Sequence, residues 1–359
     1  MMDSDAIVVE RIGRLVQASG ISGFEKEVGT IIKDMIGSRV DQVEEDAVGN
    51  IIMTIKGTDP GNGRVIFAAH QDEVGFLVDV VEKGGFLRLV AIGGWNPVTL
   101  PSSPVTIITR DGKRHHGVIG QLSPHFQPKG APPSVPSLDD LFVDVGASSD
   151  KDVEEIFGIR RGDIVVPEAS FTWVRETGVM MGKAMDDRIG VAALIELAYA
   201  LTQDGKRPVS TVILAFTVQE EVGTRGAGVV ANYLDGDAAI IVEGAPADDM
   251  PGGPAIAQTR RGKGAHVRIF DPTHIGHRGV LDLLRGIAHA QGIQVQEAVR
   301  KGGGTDAVKL SVAQRGIPAV VTGVPVRYAH SHESTASLFD FNELVRLLSA
   351  FCNVSLKDI

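Results

Sequence analysis

The chain has 359 residues, 43% of them hydrophobic, enough to build one large core or two smaller ones, which excludes a disordered polypeptide. Lys and Arg number 35 against 45 Asp and Glu, a net charge of -10 with no basic run, so nucleic-acid binding is excluded as the main business. One cysteine, Cys352, rules out an internal disulfide framework and any multi-cysteine zinc site, so a bound metal must use His, Asp and Glu.

The amino terminus lacks the basic start and long apolar stretch of a secretory signal. No run approaches the ~20 apolar residues that span a bilayer. The expectation is a cytoplasmic protein with no membrane partner. Apolar residues at helical spacing predict two opening helices, one from Asp5 to Ala18 (Ile7, Val8, Ile12, Leu15, Val16) and one from Phe24 to Ile36 (Val28, Ile31, Ile32). Asn50 to Ile55 reads as a strand. Arg64 to Ala69 reads as a second, buried strand that runs into His70-Gln71-Asp72-Glu73.

Beyond Phe76 the pattern changes to short β-like runs broken by glycine and proline: Leu77 to Val81, Phe86 to Ile92, Val105 to Ile108, His116 to Ile119 and Leu141 to Val145. Lys151 to Phe157 is the one helical candidate among them. A small all-β domain at 76–165, inserted into an α/β domain formed by 1–75 and 166–359, accounts for the shift. The loop from Ser123 to Pro136 carries five prolines and reads as exposed and mobile. Helix–strand alternation then resumes. Helices are predicted at Asp187 to Thr202, Val280 to Ala290, Asp306 to Arg315 and Phe341 to Phe351, and strands at Thr211 to Phe216, Ala238 to Val242 and Ala319 to Thr322.

Five segments place metal-competent residues at or near the ends of these elements: His70-Gln71-Asp72, Asp186-Asp187-Arg188, Glu220-Glu221, Glu243, and His330-Ser331-His332. Singly each has an ordinary explanation, such as a polar strand end, a helix N-cap or a solvated face. Together they follow predicted buried strands, and ligands of open α/β sheets bind beyond the strands' carboxyl ends. Several carboxylates gathered there call for a cation.

The runs His70-Gln71-Asp72-Glu73-Val74-Gly75-Phe76, Gly182-Lys183-Ala184-Met185-Asp186-Asp187-Arg188, Gln219-Glu220-Glu221-Val222-Gly223 and Pro325-Val326-Arg327-Tyr328-Ala329-His330-Ser331 resemble the signatures of the M42 family of di-metal aminopeptidases. These are the tetrahedral, or TET, peptidases, some once labelled endoglucanases, and the resemblance spans essentially the whole chain. It implies an α/β fold, a mixed-sheet zinc-peptidase catalytic domain with an inserted barrel-like all-β domain for dimerisation. It further implies two divalent ions, zinc or cobalt, bridged by Asp186, with His70 and Glu243 completing one site and Glu221 and His330 the other. Glu220 would be the general base acting on a bridging water, and Asp72 would orient the His70 imidazole. Glu243 departs modestly from the family, where aspartate is frequent.

Short peptides are the implied substrates, and dimers building a tetrahedral dodecamer the implied assembly. Gly303-Gly304-Thr305-Asp306 resembles a family motif near the substrate, with a helix N-cap as the competing reading of Asp306. Asp187 is either a helix cap or an active-site contact. His332 reads as a solvated loop residue. His125 resembles a histidine of the family's insert; its loop context suggests a solvated role, and the alternative is that it reaches a neighbouring subunit's active-site mouth. Rival functions are a di-metal amidohydrolase for N-acyl amino acids or other peptide ends, and a non-catalytic peptide-binding scaffold. Glucan cleavage is disfavoured, because glycosidases work with metal-free carboxylate pairs and aromatic clefts, and the chain has only two Trp and three Tyr.

Overall fold

The computed structural model describes residues 2–126 and 135–356. Helices α1 (Met2–Gln17) and α2 (Lys26–Ile36) lead into strands β1 (Gln42–Glu45), β2 (Ile51–Ile55) and β3 (Arg64–His70). Six strands follow: β4 (Gly75–Val81), β5 (Phe86–Ile92), β6 (Pro104–Ile108), β7 (Arg114–Gln121), β8 (Leu141–Asp144) and β9 (Ile164–Pro167), with one helical turn α3 (Asp150–Asp152) before the last. Then come β10 (Thr172–Val174), β11 (Val179–Gly182), α4 (Met185–Thr202), β12 (Thr211–Thr217), α5 (Arg225–Val230), β13 (Ala238–Pro246), β14 (Ala265–Asp271) and β15 (His274–Ile275). The chain closes with α6 (Arg278–Gln291), β16 (Val295–Val299), α7 (Ala307–Leu310), β17 (Ala319–Val326), β18 (Ser334–Ser337) and α8 (Leu338–Phe351).

The fold is mixed α/β. A nine-stranded sheet runs in the order β1-β2-β12-β3-β13-β17-β14-β15, with β16 beside β14. Its four central strands, β12, β3, β13 and β17, are mutually parallel, and antiparallel strands flank them. Strands buried on both faces need apolar side chains at every position, and β3 shows the two-residue alternation. Val65, Phe67 and Ala69 join the core under α1, α4 and α8, whereas Ile66 and Ala68 join a smaller core with Val230, Ala307 and Leu310. Helix α4 crosses the larger core with Ile189, Leu194, Leu197 and Ala198 buried, which accounts for its broad apolar face.

The second body is a closed antiparallel barrel in the order β4-β5-β8-β7-β6-β9, filled by Phe76, Leu87, Val105, Ile107, Ile119, Val143 and Val165. Its strands begin at Gly75 and end at Pro167, so it enters and leaves the chain between β3 and α4. A three-stranded sheet, β10-β11-β18, joins the return path to the loop that precedes α8.

Several elements differ from the sequence reading. The helix expected over Asp306 to Arg315 is only Ala307–Leu310; a backbone bond from Ile317 to the Ser311 carbonyl turns the chain away. The stretch from Lys151 to Phe157 is a short α turn followed by a π turn at Val153–Phe157. Strand β1 has no apolar alternation to announce it, since all four of its residues are exposed at the sheet edge. Part of the proline-rich loop, residues 127–134, lies outside the described residues. Among the described residues no helix is long and apolar enough to cross a membrane.

Candidate metal centre

Parallel pairing puts the carboxyl ends of four strands on one edge, and each delivers a functional group there. His70 is the last residue of β3; Glu220 and Glu221 follow β12; Glu243 lies within β13; His330 follows β17. Asp186 comes from the first turn of α4, where positions 186 and 187 depart from helical angles. That loop is pressed against β13 at Gly244, where a Cβ would sit 2.7 Å from the Met185 carbonyl and 2.8 Å from Asp186 Cα, so the approach requires glycine.

Two overlapping groups result. His70 Nε2 lies 3.3 Å from Asp186 Oδ1 and 3.8 Å from Glu243 Oε2. His330 Nε2 lies 3.1 Å from Glu221 Oε1 and 3.6 Å from Asp186 Oδ2. Within each group one ligand atom per residue falls within 4.8 Å of the others, and Asp186 belongs to both. Asp186 Oδ1 and Glu221 Oε1 are buried yet accept no hydrogen bond. Lone pairs facing one another with no donor between them fit a divalent cation, and His plus carboxylate is a donor set suited to zinc, cobalt or manganese. The first group is the more enclosed: the His70 side chain is 2% exposed, that of His330 39%.

The electrostatics point the same way. Burial, then the neighbouring carboxylates, push Glu243 well above the usual carboxylate range, and Glu220 rises through burial and the charges of Glu243, Asp306 and Glu221. Burial also pushes Asp186 up, but the imidazoles of His330 and His70 outweigh it and hold it well below the ordinary range. Burial lowers the His330 imidazole, and Asp186 and Glu221 more than reverse that, raising it to about 11. Without a cation, protons must do the neutralising.

Asp72 is fully buried beside the site and does more than face an imidazole. Its Oδ1 accepts the Glu220 N–H at 3.0 Å, and its Oδ2 accepts the Glu221 N–H at 3.1 Å and the Ser22 hydroxyl at 2.6 Å. His70 Nδ1 lies 3.1 Å from the Asp72 carbonyl oxygen and 3.4 Å from the carboxylate. Asp187 is both a cap and a neighbour of the site, for its carboxylate accepts the Gly190 N–H at 3.0 Å and the His70 N–H at 3.2 Å.

The glutamate pair borders a cavity of about 510 Å³, walled also by His70, Asp186, Glu243 and His330. Asp306 does not line it. Its side chain makes no capping bond, accepts the Thr217 hydroxyl at 2.5 Å and keeps Oδ1 buried without a partner. His125 is exposed, 3.0 Å from the Ser123 hydroxyl, and takes no part in this cavity. His332 is not a solvated loop residue: it is mostly enclosed and its Nε2 lies 3.0 Å from the Pro104 carbonyl of the barrel.

The far wall carries two arginines that strand patterning gave no reason to single out, Arg268 on β14 and Arg300 after β16. Arg268 donates through Nη1 to Asp271 at 3.1 Å, and Arg300 through Nη1 to Asp248 at 2.8 Å and through Nη2 to the Pro246 carbonyl at 2.9 Å. The Nε of each is buried without a partner.

Residues 49–347 match the family model described as M42 glutamyl aminopeptidase. The chain belongs to the M42 aminopeptidase family. This M42 peptidase is 34% identical over 342 residues to the glutamyl aminopeptidase of Lactococcus lactis, covering 95% of this chain and 94% of that protein. Among solved structures, the TET aminopeptidase of a marine-sediment Thaumarchaeota archaeon superposes with a TM-score of 0.92 at 36% identity over 97% of each chain. The TET1 peptidase of Pyrococcus horikoshii, which can assemble into a tetrahedron or a large octahedral shell, superposes with a TM-score of 0.83 at 31% identity over 96% of this chain and 99% of that one. The M42 peptidase is therefore a hydrolase of peptide bonds that works as an aminopeptidase, with the mixed sheet and closed barrel of the TET structures.

Proposed function

We propose that this M42 peptidase acts in the cytoplasm, holds two divalent ions, zinc or cobalt, and removes acidic first residues from short peptides. The observation that carries the reading is the pair of ligand groups sharing Asp186 at the wall of a cavity that Glu220 also borders. His70, Asp186 and Glu243 would hold one ion, and Asp186, Glu221 and His330 the other. When bound, such ions polarise a scissile carbonyl and acidify a water molecule. Glu220, outside both ligand groups, is free to accept the proton of the attacking water and return it to the leaving amine. Its backbone N–H is fixed by Asp72, so the carboxylate enters the cavity from a clamped peptide.

The acidic preference rests on Arg268 and Arg300. Each arginine borders the cavity and has its Nε buried and unpaired, and a planar fork with donors to spare is suited to a carboxylate. The glutamyl specificity in the name of the Lactococcus relative agrees with this. For assembly, the barrel is the domain that would join two copies, with pairs building a tetrahedral dodecamer. His125, exposed at the edge of the barrel's long loop, is then available to a neighbour's active-site mouth; a His125→Ala enzyme of unchanged kinetics refutes that contact.

The deciding experiment is a panel of glutamyl, aspartyl, leucyl and lysyl anilides with an N-acetylated control, run on metal-reconstituted and chelated enzyme. Rapid cleavage of the acidic substrates, lost on chelation, is expected. Equal rates on leucyl and glutamyl substrates overturn the role of the arginines alone. Cleavage of the acetylated control over the free amines overturns the aminopeptidase reading. Light scattering should find a particle twelve times the 38.0 kDa chain, and a monomer rejects the assembly.

A further inference from the structure

His330 and His332 sit on the loop between β17 and β18, and that loop is strained. Tyr328 and His330 both hold left-handed backbone angles, with φ of 63° and 58°, which side-chain-bearing residues adopt only when their surroundings impose them. The base of the loop is closed by paired backbone bonds between Arg327 and Thr335, and its interior by the Ser331 hydroxyl, whose one O–H lies between the Tyr328 carbonyl at 2.6 Å and the Glu333 carbonyl at 2.9 Å. Neither contact fixes the apex relative to the rest of the site. His332 does, through its bond to the Pro104 carbonyl at 3.0 Å.

The barrel side of this contact is itself rigid. The Trp95 ring lies 5.7 Å from that of His332, stacks on Phe76 at 4.8 Å between centroids, and donates its indole N–H to the Gly75 carbonyl at 3.1 Å. The neighbouring glycines close onto the candidate ligands. A Cβ at Gly94 would lie 3.3 Å from His330 Nδ1, and one at Gly93 would lie 3.3 Å from Glu221 Cβ. The barrel thus touches two of the three residues of one ligand group, whereas His70 and Glu243 of the other are held by central strands of the sheet.

We infer that His332 is a positioning residue: by latching the His330 loop onto the barrel it sets the affinity of the Asp186–Glu221–His330 site, leaving the His70–Asp186–Glu243 site unaffected. The inference rests on the two-ion reading above. It makes the inserted barrel part of the metal centre as well as a candidate contact between copies, and it makes the more exposed site the one whose occupancy depends on barrel docking. Removing a group that orients a metal ligand typically costs ~10–100-fold in metal affinity.

The test is calorimetric titration of metal-free protein with Zn²⁺, and separately with Co²⁺ followed by its visible absorption, for wild type, His332→Leu and His332→Gln. Wild type should take up two equivalents. His332→Leu should keep the first with native affinity and bind the second ~10–100-fold more weakly. His332→Gln, whose amide can reach the Pro104 carbonyl from the place of Nε2, should recover most of that loss. Melting of each metal-free variant reports whether the fold is intact. Native affinity for both equivalents in a folded His332→Leu protein overturns the inference, as does equal weakening of both sites or a glutamine variant no better than leucine. A wild type that binds one equivalent overturns the two-ion reading, and the inference with it.

Discussion

Replacing Asp72 by asparagine converts one carboxylate oxygen into an NH2 group where three donors converge. One oxygen receives the Glu220 N–H at 3.0 Å; the other receives the Glu221 N–H at 3.1 Å and the Ser22 hydroxyl at 2.6 Å. The serine can turn its hydroxyl to accept, but the backbone cannot, so in either amide orientation one buried N–H faces another donor. An unpaired buried donor costs about 1–3 kcal/mol, and the remaining bonds lose the help of a full charge, giving a total loss of roughly 2–4 kcal/mol. The same change shifts the peptide carrying Glu220 and Glu221, and misplacement of reacting groups on the order of 1 Å costs ~100-fold in rate. Denaturant unfolding of the metal-free variant measures the first effect, and kcat of the metal-loaded enzyme the second. Ser22→Ala should show a smaller stability loss of about 1 kcal/mol. If Asp72→Asn unfolds at the native midpoint and is impaired only in metal affinity, Asp72 serves the His70 imidazole and the backbone clamp is wrong.

Glu220→Gln should keep both metal equivalents by calorimetry and lose ~10²–10⁴-fold in kcat, the usual contribution of a positioned base; native turnover would remove Glu220 from proton transfer. Arg268→Leu should raise KM for glutamyl substrates at least ~10-fold and leave leucyl substrates no worse, whereas an equal loss on both would make the arginine structural. Burial, and then the Asp72 charge, push the Glu25 carboxyl up from 4.5 to about 7, so its protonated form suits the folded state and the associated stability is lost as pH rises from about 4.5 through about 7. Glu25→Gln retains an oxygen for the Gly23 and Gln219 N–H groups, and should be more stable than wild type by on the order of 2–3 kcal/mol at pH 8 relative to the difference at pH 5. A pH-independent difference between the two proteins would refute that assignment.

The candidate ligands were legible because strand ends are. His70 closes the apolar run of β3, Glu221 comes four residues after the end of β12 and His330 four after the end of β17, and parallel strands must end on one side of the sheet. The arginines were not legible for a related reason. Strand β14 reads Ala-His-Val-Arg-Ile-Phe-Asp, so His266 and Arg268 alternate with apolar residues as the solvent-facing side chains of an ordinary half-buried strand would, yet both are buried and Arg268 borders the cavity. The role of Asp72 was hidden because its partners are backbone N–H groups some 148 and 149 residues away, which no side-chain pattern records. His332 was misread because Pro104 and Trp95, the groups it meets, belong to the barrel, far from it in sequence. The five residues between Glu45 and Ile51 that carry the chain from β1 into β2 illustrate the converse: the Asp46 carboxylate accepts the Gly49 N–H within a local turn, and Gly49 supplies the positive φ that the turn needs.

The remaining question is how a sheet interrupted by a whole barrel brings Asp186 opposite His70. Glu73 stands on the outgoing crossing, just past β3, and Lys183 on the return, just before α4. They meet at 2.6 Å across 110 residues, both buried. Arg188, one turn further along, is fully buried and donates to the Gln71 carbonyl at 2.6 Å, the Gly20 carbonyl at 3.0 Å and Glu73 at 3.3 Å. An apolar cluster of the same volume could be as stable, since charges taken out of water forfeit much of what they gain from one another, but it would not fix an angle. Hydrogen bonds to named carbonyls do. Asp186 lies between Lys183 and Arg188 in sequence, and both are tied to the three residues that follow His70, so the two halves of the sheet can close only with the Asp186 carboxylate facing the His70 imidazole.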